Sequence, residues 1–244
     1  MSEWWTYRLS DFLMFSPRTY RRLFELVNAD VWPAQWLALA AGVVMASALW
    51  RRHRHAATLA YGVLALAWAL VGWAFHWRRF EPVNWAAAGF GVVFGVQALV
   101  FAAASVQAWR APQPPRQDGP ARFAGLSLLC GSLLWPLIAA ALGRPWVQAP
   151  VFGVAPDPTV LATLGVLLLL SVPPGSNRRH RVLWAAALWT APLGWCGVGG
   201  AMSWTLDEPD AALLPVTAVV VLWLRRRSRR QPAATARERE LPSG

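Results

Sequence analysis

Lysine does not occur in this 244-residue chain, cysteine occurs twice, and only 14% of residues are charged. Soluble domains carry about a quarter charged residues, so an ordinary soluble domain is excluded. The two cysteines, Cys130 and Cys196, sit inside apolar stretches with no CxxC or Cys/His spacing. That excludes a disulfide scaffold or structural zinc site and predicts buried apolar thiols. Residues 1–31 lack the basic start and apolar core of a cleavable signal peptide. Also missing are HExxH, G-x-S-x-G, Walker and dinucleotide-binding motifs, and paired His at haem-ligand spacing. Their absence makes a membrane enzyme the least favoured function class.

What is present is apolar and aromatic. Hydrophobic residues make up 56% of the chain, 17 of them Trp, and the mean hydropathy is +0.35. Trp favours the headgroup level of a bilayer, where the ring is buried and its N–H stays wet. Seven membrane spans are predicted, near 32–50, 57–76, 85–109, 121–142, 158–172, 182–204 and 209–224. The fold class is therefore all-α, a polytopic helix bundle (32–224). A segment 1–31 precedes it and a basic tail (225–244), expected to lack regular structure, follows. In the first segment Ser16-Pro17 reads as a helix start. Tyr20, Leu23, Phe24 and Val27 then share one face, predicting an amphipathic helix on the membrane surface. Trp4, Trp5, Phe12, Leu13 and Phe15 would anchor it. The stretch 111–120 is a Pro-rich linker, and 144–156 is a loop or a re-entrant piece.

The net charge of +11 comes entirely from Arg. The clusters lie between apolar runs, which argues against nucleic acid as a partner. Sixteen of the 23 basic residues fall on one side of the predicted topology. The positive-inside rule then predicts N-terminus out and C-terminus in, in a bacterial inner membrane. Nine of the twelve acids fall on the outer side.

Gly72, His76, Phe80 and Asn84, followed by Gly89-Phe90-Gly91, Phe94 and Gln97, resemble a family of uncharacterised bacterial multi-pass integral-membrane proteins, a domain of unknown function. Asn28 with Trp32-Pro33-Ala34-Gln35, Gly153 to Gly165, and Leu206-Asp207 are similar to its other motifs. The resemblance covers nearly the whole chain. It implies a multi-pass membrane fold and no assigned activity. Where the family pattern has Cys between two prolines this chain has Asp157, which removes a thiol from that position.

His76, Asn84, Asp157 and Asp207 each stand at or beside the outer end of a different span. Together they make a candidate outer pocket for a divalent metal or small cation. Each also has a local reading: His76 bonded to a neighbouring helix, the other three capping helix ends. Gln97 lies about twelve residues into its span, near mid-bilayer at ~1.5 Å per residue. There it bridges helices or lines a path. Gly91 and Gly95 form a GxxxG pair, predicting close packing. His53, His55 and His180 lie in basic inner loops. Two functions follow. One is a small transporter, channel or ion-binding protein. The other is an accessory or assembly subunit docked on another membrane protein.

Overall fold

The computed structural model describes residues 15–112, 118–141, 143–170 and 177–239, with side chains described as far as Ser228. Trp4, Trp5, Phe12 and Leu13, and residues 113–117 of the Pro-rich linker, lie outside the described residues. Among those described, all regular structure is helical: α1 (Pro17–Asp30), α2 (Ala34–Trp50), α3 (Ala56–Leu70), α4 (Ala86–Arg110), α5 (Gly119–Leu133), α6 (Trp135–Ala141), α7 (Pro156–Leu169), α8 (Arg178–Thr205) and α9 (Leu213–Arg239). A π-helical stretch, Val71–Phe80, prolongs α3, and a 3-10 turn covers Trp146–Gln148.

Three of these elements are long and apolar enough to cross a membrane: α3 with its π stretch, α4 and α8. Two bent pairs raise the number to five if each is one span: α1 with α2, bent by 89°, and α5 with α6, bent by 64°. Seven was expected. The shortfall has two physical causes. At 14 residues, α7 is about 21 Å long, short of the ~30 Å hydrocarbon core. And α9 meets Arg225-Arg226-Arg227 soon after its apolar start, then stays helical to Arg239 through the segment expected to lack structure. Leu37, Leu66, Leu99 and Phe123 are each more than 70% exposed. Apolar surface on that scale suits lipid rather than water.

The helices are built by recognisable grammar. The Ser16 hydroxyl accepts from the Thr19 amide and Pro17 occupies the first turn of α1, which satisfies an orphan N–H at a position where Pro costs nothing. The predicted face of Tyr20, Leu23, Phe24 and Val27 is buried. Its cover is protein, not lipid. Tyr20 packs on Phe80, Phe24 on Phe75, and Phe15 edge-on against Phe80.

At the centre, α7 packs against α3, α5, α8 and α9 and is buried on almost every face, as a helix apolar all round must be. Gly125 of α5 and Gly165 of α7 allow the closest approach. A Cβ on Gly165 would stand 2.6 Å from the Gly125 carbonyl oxygen, and one on Gly125 2.8 Å from that of Gly165. The predicted GxxxG pair divides: Gly91 receives the Trp77 indole, while a Cβ on Gly95 would meet nothing within 4 Å.

The segment before α7 folds inward without becoming helical. Val151, Phe152, Val154 and Ala155 are buried, so its backbone polar groups need partners. Asn28 Nδ2 donates to the carbonyls of Val147 and Ala149, both at 3.0 Å. Gly153, at φ +78°, donates its N–H to Thr159 Oγ1 at 2.9 Å, and that hydroxyl donates to the Ala155 carbonyl. Of the two thiols, Cys196 is buried as expected but Cys130 is exposed; both are free.

Candidate functional site at the polar end

The polar contacts divide the bundle into two ends. At one, Arg52 pairs with Asp118 and Arg122 donates to the Trp50 carbonyl. At the other, α1, the turn after the π stretch, the segment before α7 and the turn after α8 converge. Residues expected on the outer side gather there.

Glu208 anchors this second end. Its side chain is 4% exposed, and its two oxygens accept from Arg21 Nε at 2.8 Å and from an Arg144 guanidinium nitrogen at 2.7 Å. The same Arg144 nitrogen reaches Asp210 at 3.2 Å. Three segments are thus tied by one carboxylate: α1, the connection after α6, and the α8–α9 turn. Charge-assisted bonds of this kind are about twice as strong as neutral ones. A cavity of about 20 Å³ lies beside them, lined by Tyr20, Arg144, Asp157, Ser203, Glu208 and Asp210 among others. That is room for about one water-sized occupant.

Asp157 stands in the first turn of α7, where Pro156 follows the Ala155 cap. Beside its place in the candidate pocket, its local reading was a cap on its own helix. Instead its Oδ1 accepts from Trp195 Nε1 at 2.8 Å. The same indole meets His76 edge to face, at 5.1 Å between ring centroids. His76 is fully buried among Phe75, Phe90, Phe94 and Trp195. Neither imidazole nitrogen has a hydrogen-bond partner. A buried polar group left unpaired costs ~1–3 kcal/mol, so the site retains His76 against a stability penalty. The π stretch places it there: its wide turns close with the Glu81 N–H on the His76 carbonyl at 2.8 Å, five residues apart. Such stretches are frequent at functional sites.

Of the four candidate pocket residues, then, His76 and Asp157 share Trp195. The other two are engaged differently. The Asn84 side chain accepts from the Ala86 amide at 3.1 Å, a local turn bond at the start of α4. Asp207, exposed and at φ +53°, belongs to the turn closing α8; its neighbour Glu208 is the acid that joins the network. Gln97 is buried at 3% exposure, on the α4 face that carries Phe94 and Phe101, and its Nε2 has no partner. It faces protein as expected without bridging helices through that nitrogen. Among the described residues, no three His, Cys, Asp or Glu side chains come together as a metal ion would need.

Sequence reasoning missed Arg144, Arg21 and Trp195. One signal existed for Arg144: it is a lone basic residue in an apolar stretch on the acid-rich side. At the end of α1, Asp30 accepts from Arg79 Nε at 2.5 Å and from a second guanidinium nitrogen. That hydrogen bonding holds its carboxyl below the usual carboxylate range.

No curated protein and no solved structure matches the chain. A family model does match, over residues 18–236. That stretch runs from the first turn of α1 into the last turn of α9 and takes in the whole of the polar end, and the chain accordingly belongs to a family of unknown function (DUF6064).

Proposed function

We propose that this is a small ion-handling membrane protein, a transporter or channel for protons or a small monovalent cation, entered from an outward-facing polar end. The observation that carries the reading is His76: a fully buried imidazole, unpaired at both nitrogens, on a helix long enough to span, one indole away from Asp157. Ionisable groups inside spans mark ion and proton paths by default, and imidazole can take and pass a proton near neutral pH. The polar end supplies the mouth. Asp157, Glu208 and Asp210 face Arg21 and Arg144, three acids against two bases, so one small cation completes the balance. The Arg distribution supports N-terminus out and C-terminus in, in a bacterial inner membrane.

The test is flux. The purified chain is reconstituted in vesicles with an internal pH dye, and a potassium diffusion potential is imposed. Proton uptake should exceed that of empty vesicles and fall to their level in His76→Phe and Asp157→Asn, with melting curves confirming that both variants fold. No uptake above empty vesicles, for protons or for sodium, would sink the reading. The alternative, an accessory subunit of another membrane complex, draws on large exposed indoles such as Trp85 and Trp204. It would gain from a stoichiometric partner recovered in mild detergent.

A further inference from the structure

Away from the polar cavity, a groove of about 720 Å³ opens between the α1–α2 elbow and the α5–α6 bend. That volume lies within the ~300–1,000 Å³ usual for small-molecule sites. Its walls are apolar, and the indoles of Trp32, Trp36 and Trp146 line it while staying more than 60% exposed. Exposed indoles clustered this way mark the headgroup level of a bilayer.

Beside Asn28, whose Nδ2 is engaged by the Val147 and Ala149 carbonyls, two polar features break the apolar wall. Gln35 is 8% exposed and lines the groove. Its Nε2 donates to the Asn28 carbonyl at 2.5 Å. A carbonyl can only accept, so the amide nitrogen must face it, and this fixes the orientation of the amide. The Gln35 Oε1 is then left buried with no partner. The second feature is Glu25, the one titratable residue among the described lining residues. Its carboxylate has weak neighbours, Arg22 at 3.9 Å and Gln148 Nε2 at 3.5 Å. The wall of the groove therefore holds an orphaned acceptor just under its surface, and a negative charge, beside an apolar trough at interfacial depth.

We infer that this groove binds a phospholipid with a primary-amine headgroup, its acyl chain in the trough and its ammonium donating to Gln35 Oε1 and the Glu25 carboxylate. The chemistry discriminates. An ethanolamine headgroup carries three N–H donors. A choline headgroup has the same charge and no N–H, so it cannot satisfy Gln35. A phosphate alone would meet an acceptor and an anion, both repulsive.

The experiment is native mass spectrometry of the delipidated full chain, titrated with dioleoyl phosphatidylethanolamine or dioleoyl phosphatidylcholine. The wild type should show one saturable adduct, with the ethanolamine lipid bound about fivefold tighter, the worth of one ordinary hydrogen bond. Gln35→Leu should abolish the preference. Glu25→Gln, on the partly exposed rim, keeps the test alive if the first variant fails to fold; it should weaken the ethanolamine lipid more than the choline lipid. Ala29→Trp should fill the groove and remove the adduct. Equal binding of the two lipids by the wild type, or a preference that survives Gln35→Leu or is undiminished by Glu25→Gln in folded protein, overturns the inference.

Discussion

Helices α4 and α7 are both strongly apolar, yet they have different solvents. In α4 the buried residues (Ala87, Gly91, Phe94, Gln97, Ala98, Phe101, Ala104 and Ala108) form one stripe at three- and four-residue steps. Val92, Val96 and Leu99 on its other faces are more than half exposed, as for a helix that packs on one side and meets lipid on the other. In α7 nearly every residue is buried, with Thr159 and Thr163 fully so. Thr163 accepts from Trp68 Nε1 at 2.9 Å and donates to the Thr159 carbonyl. Ser132 donates to the Pro158 carbonyl. The contrast teaches that hydropathy measures the wish to leave water and not the destination. The share of small residues is no guide, being higher in α4; what marks α7 is that the hydroxyls of Thr159 and Thr163 are buried and partnered within the protein.

The largest effect is expected in the α8–α9 turn. Glu208→Ala leaves Arg144 with Asp210 alone and Arg21 with nothing at that position. We expect a loss of about 3 kcal/mol, the low end for breaking a buried pair, because Arg21 is half-exposed and solvent screens its share. Unfolding in mixed detergent reads this directly. A loss under about 0.5 kcal/mol, normal for surface changes, would mean that the network is ornamental.

Next comes a matched pair that tests the comparison itself. Gly165→Val puts side-chain atoms into the Gly125 backbone and should cost about 1–3 kcal/mol by overpacking. Gly95→Val on α4 meets open space and should stay within about 0.5 kcal/mol. Equal effects in the same unfolding assay would erase the distinction between the two helices.

A smaller effect of opposite sign is expected at Gln97. Its unpaired Nε2 is a liability, so Gln97→Leu should hold stability or raise it by up to about 1 kcal/mol. Any ion flux should fall if the amide lines the path. A clear loss of stability would show that the amide bridges helices after all.

Much of this was legible in the sequence, and what was not has a common cause. The buried face of α1, the break between the spans near 57–76 and 85–109, and the start of α7 beside Asp157 follow from periodicity and from proline grammar, which are local. The Glu208–Arg144–Arg21 network joins residues 64 and 187 positions apart, and no local pattern encodes it. The π stretch is equally hidden, because VGWAFHWRRF reads as an ordinary helix end. Seven spans were counted because every apolar run of helical length reads as lipid-crossing, whereas three to five of the described helices are long and apolar enough to cross. In α7 the same run is surrounded by protein.

The smallest expected effect lies at Asp30 and Arg79, the solvated counterpart of the Glu208 network. Their side chains are 18% and 32% exposed, and the pair ties the end of α1 to the end of the π stretch. An exposed pair is worth about 0.2–1 kcal/mol, and Asp30→Asn should lose that much at pH 7. The sign of its pH dependence follows from the lowered carboxyl of Asp30. A group depressed in the folded state stabilises fully above its ordinary value of 3.8. It loses that contribution as pH falls through the lower, folded value. The gap between wild type and Asp30→Asn should therefore hold from pH 7 to about 5 and close below the ordinary carboxylate range. Added salt should narrow it at pH 7 as well, since charges this exposed are screened, while the penalty of Glu208→Ala should barely move. A gap at Asp30 that ignores both acid and salt would mean that the asparagine disturbs packing rather than charge, and the solvated and buried joints would no longer differ in kind.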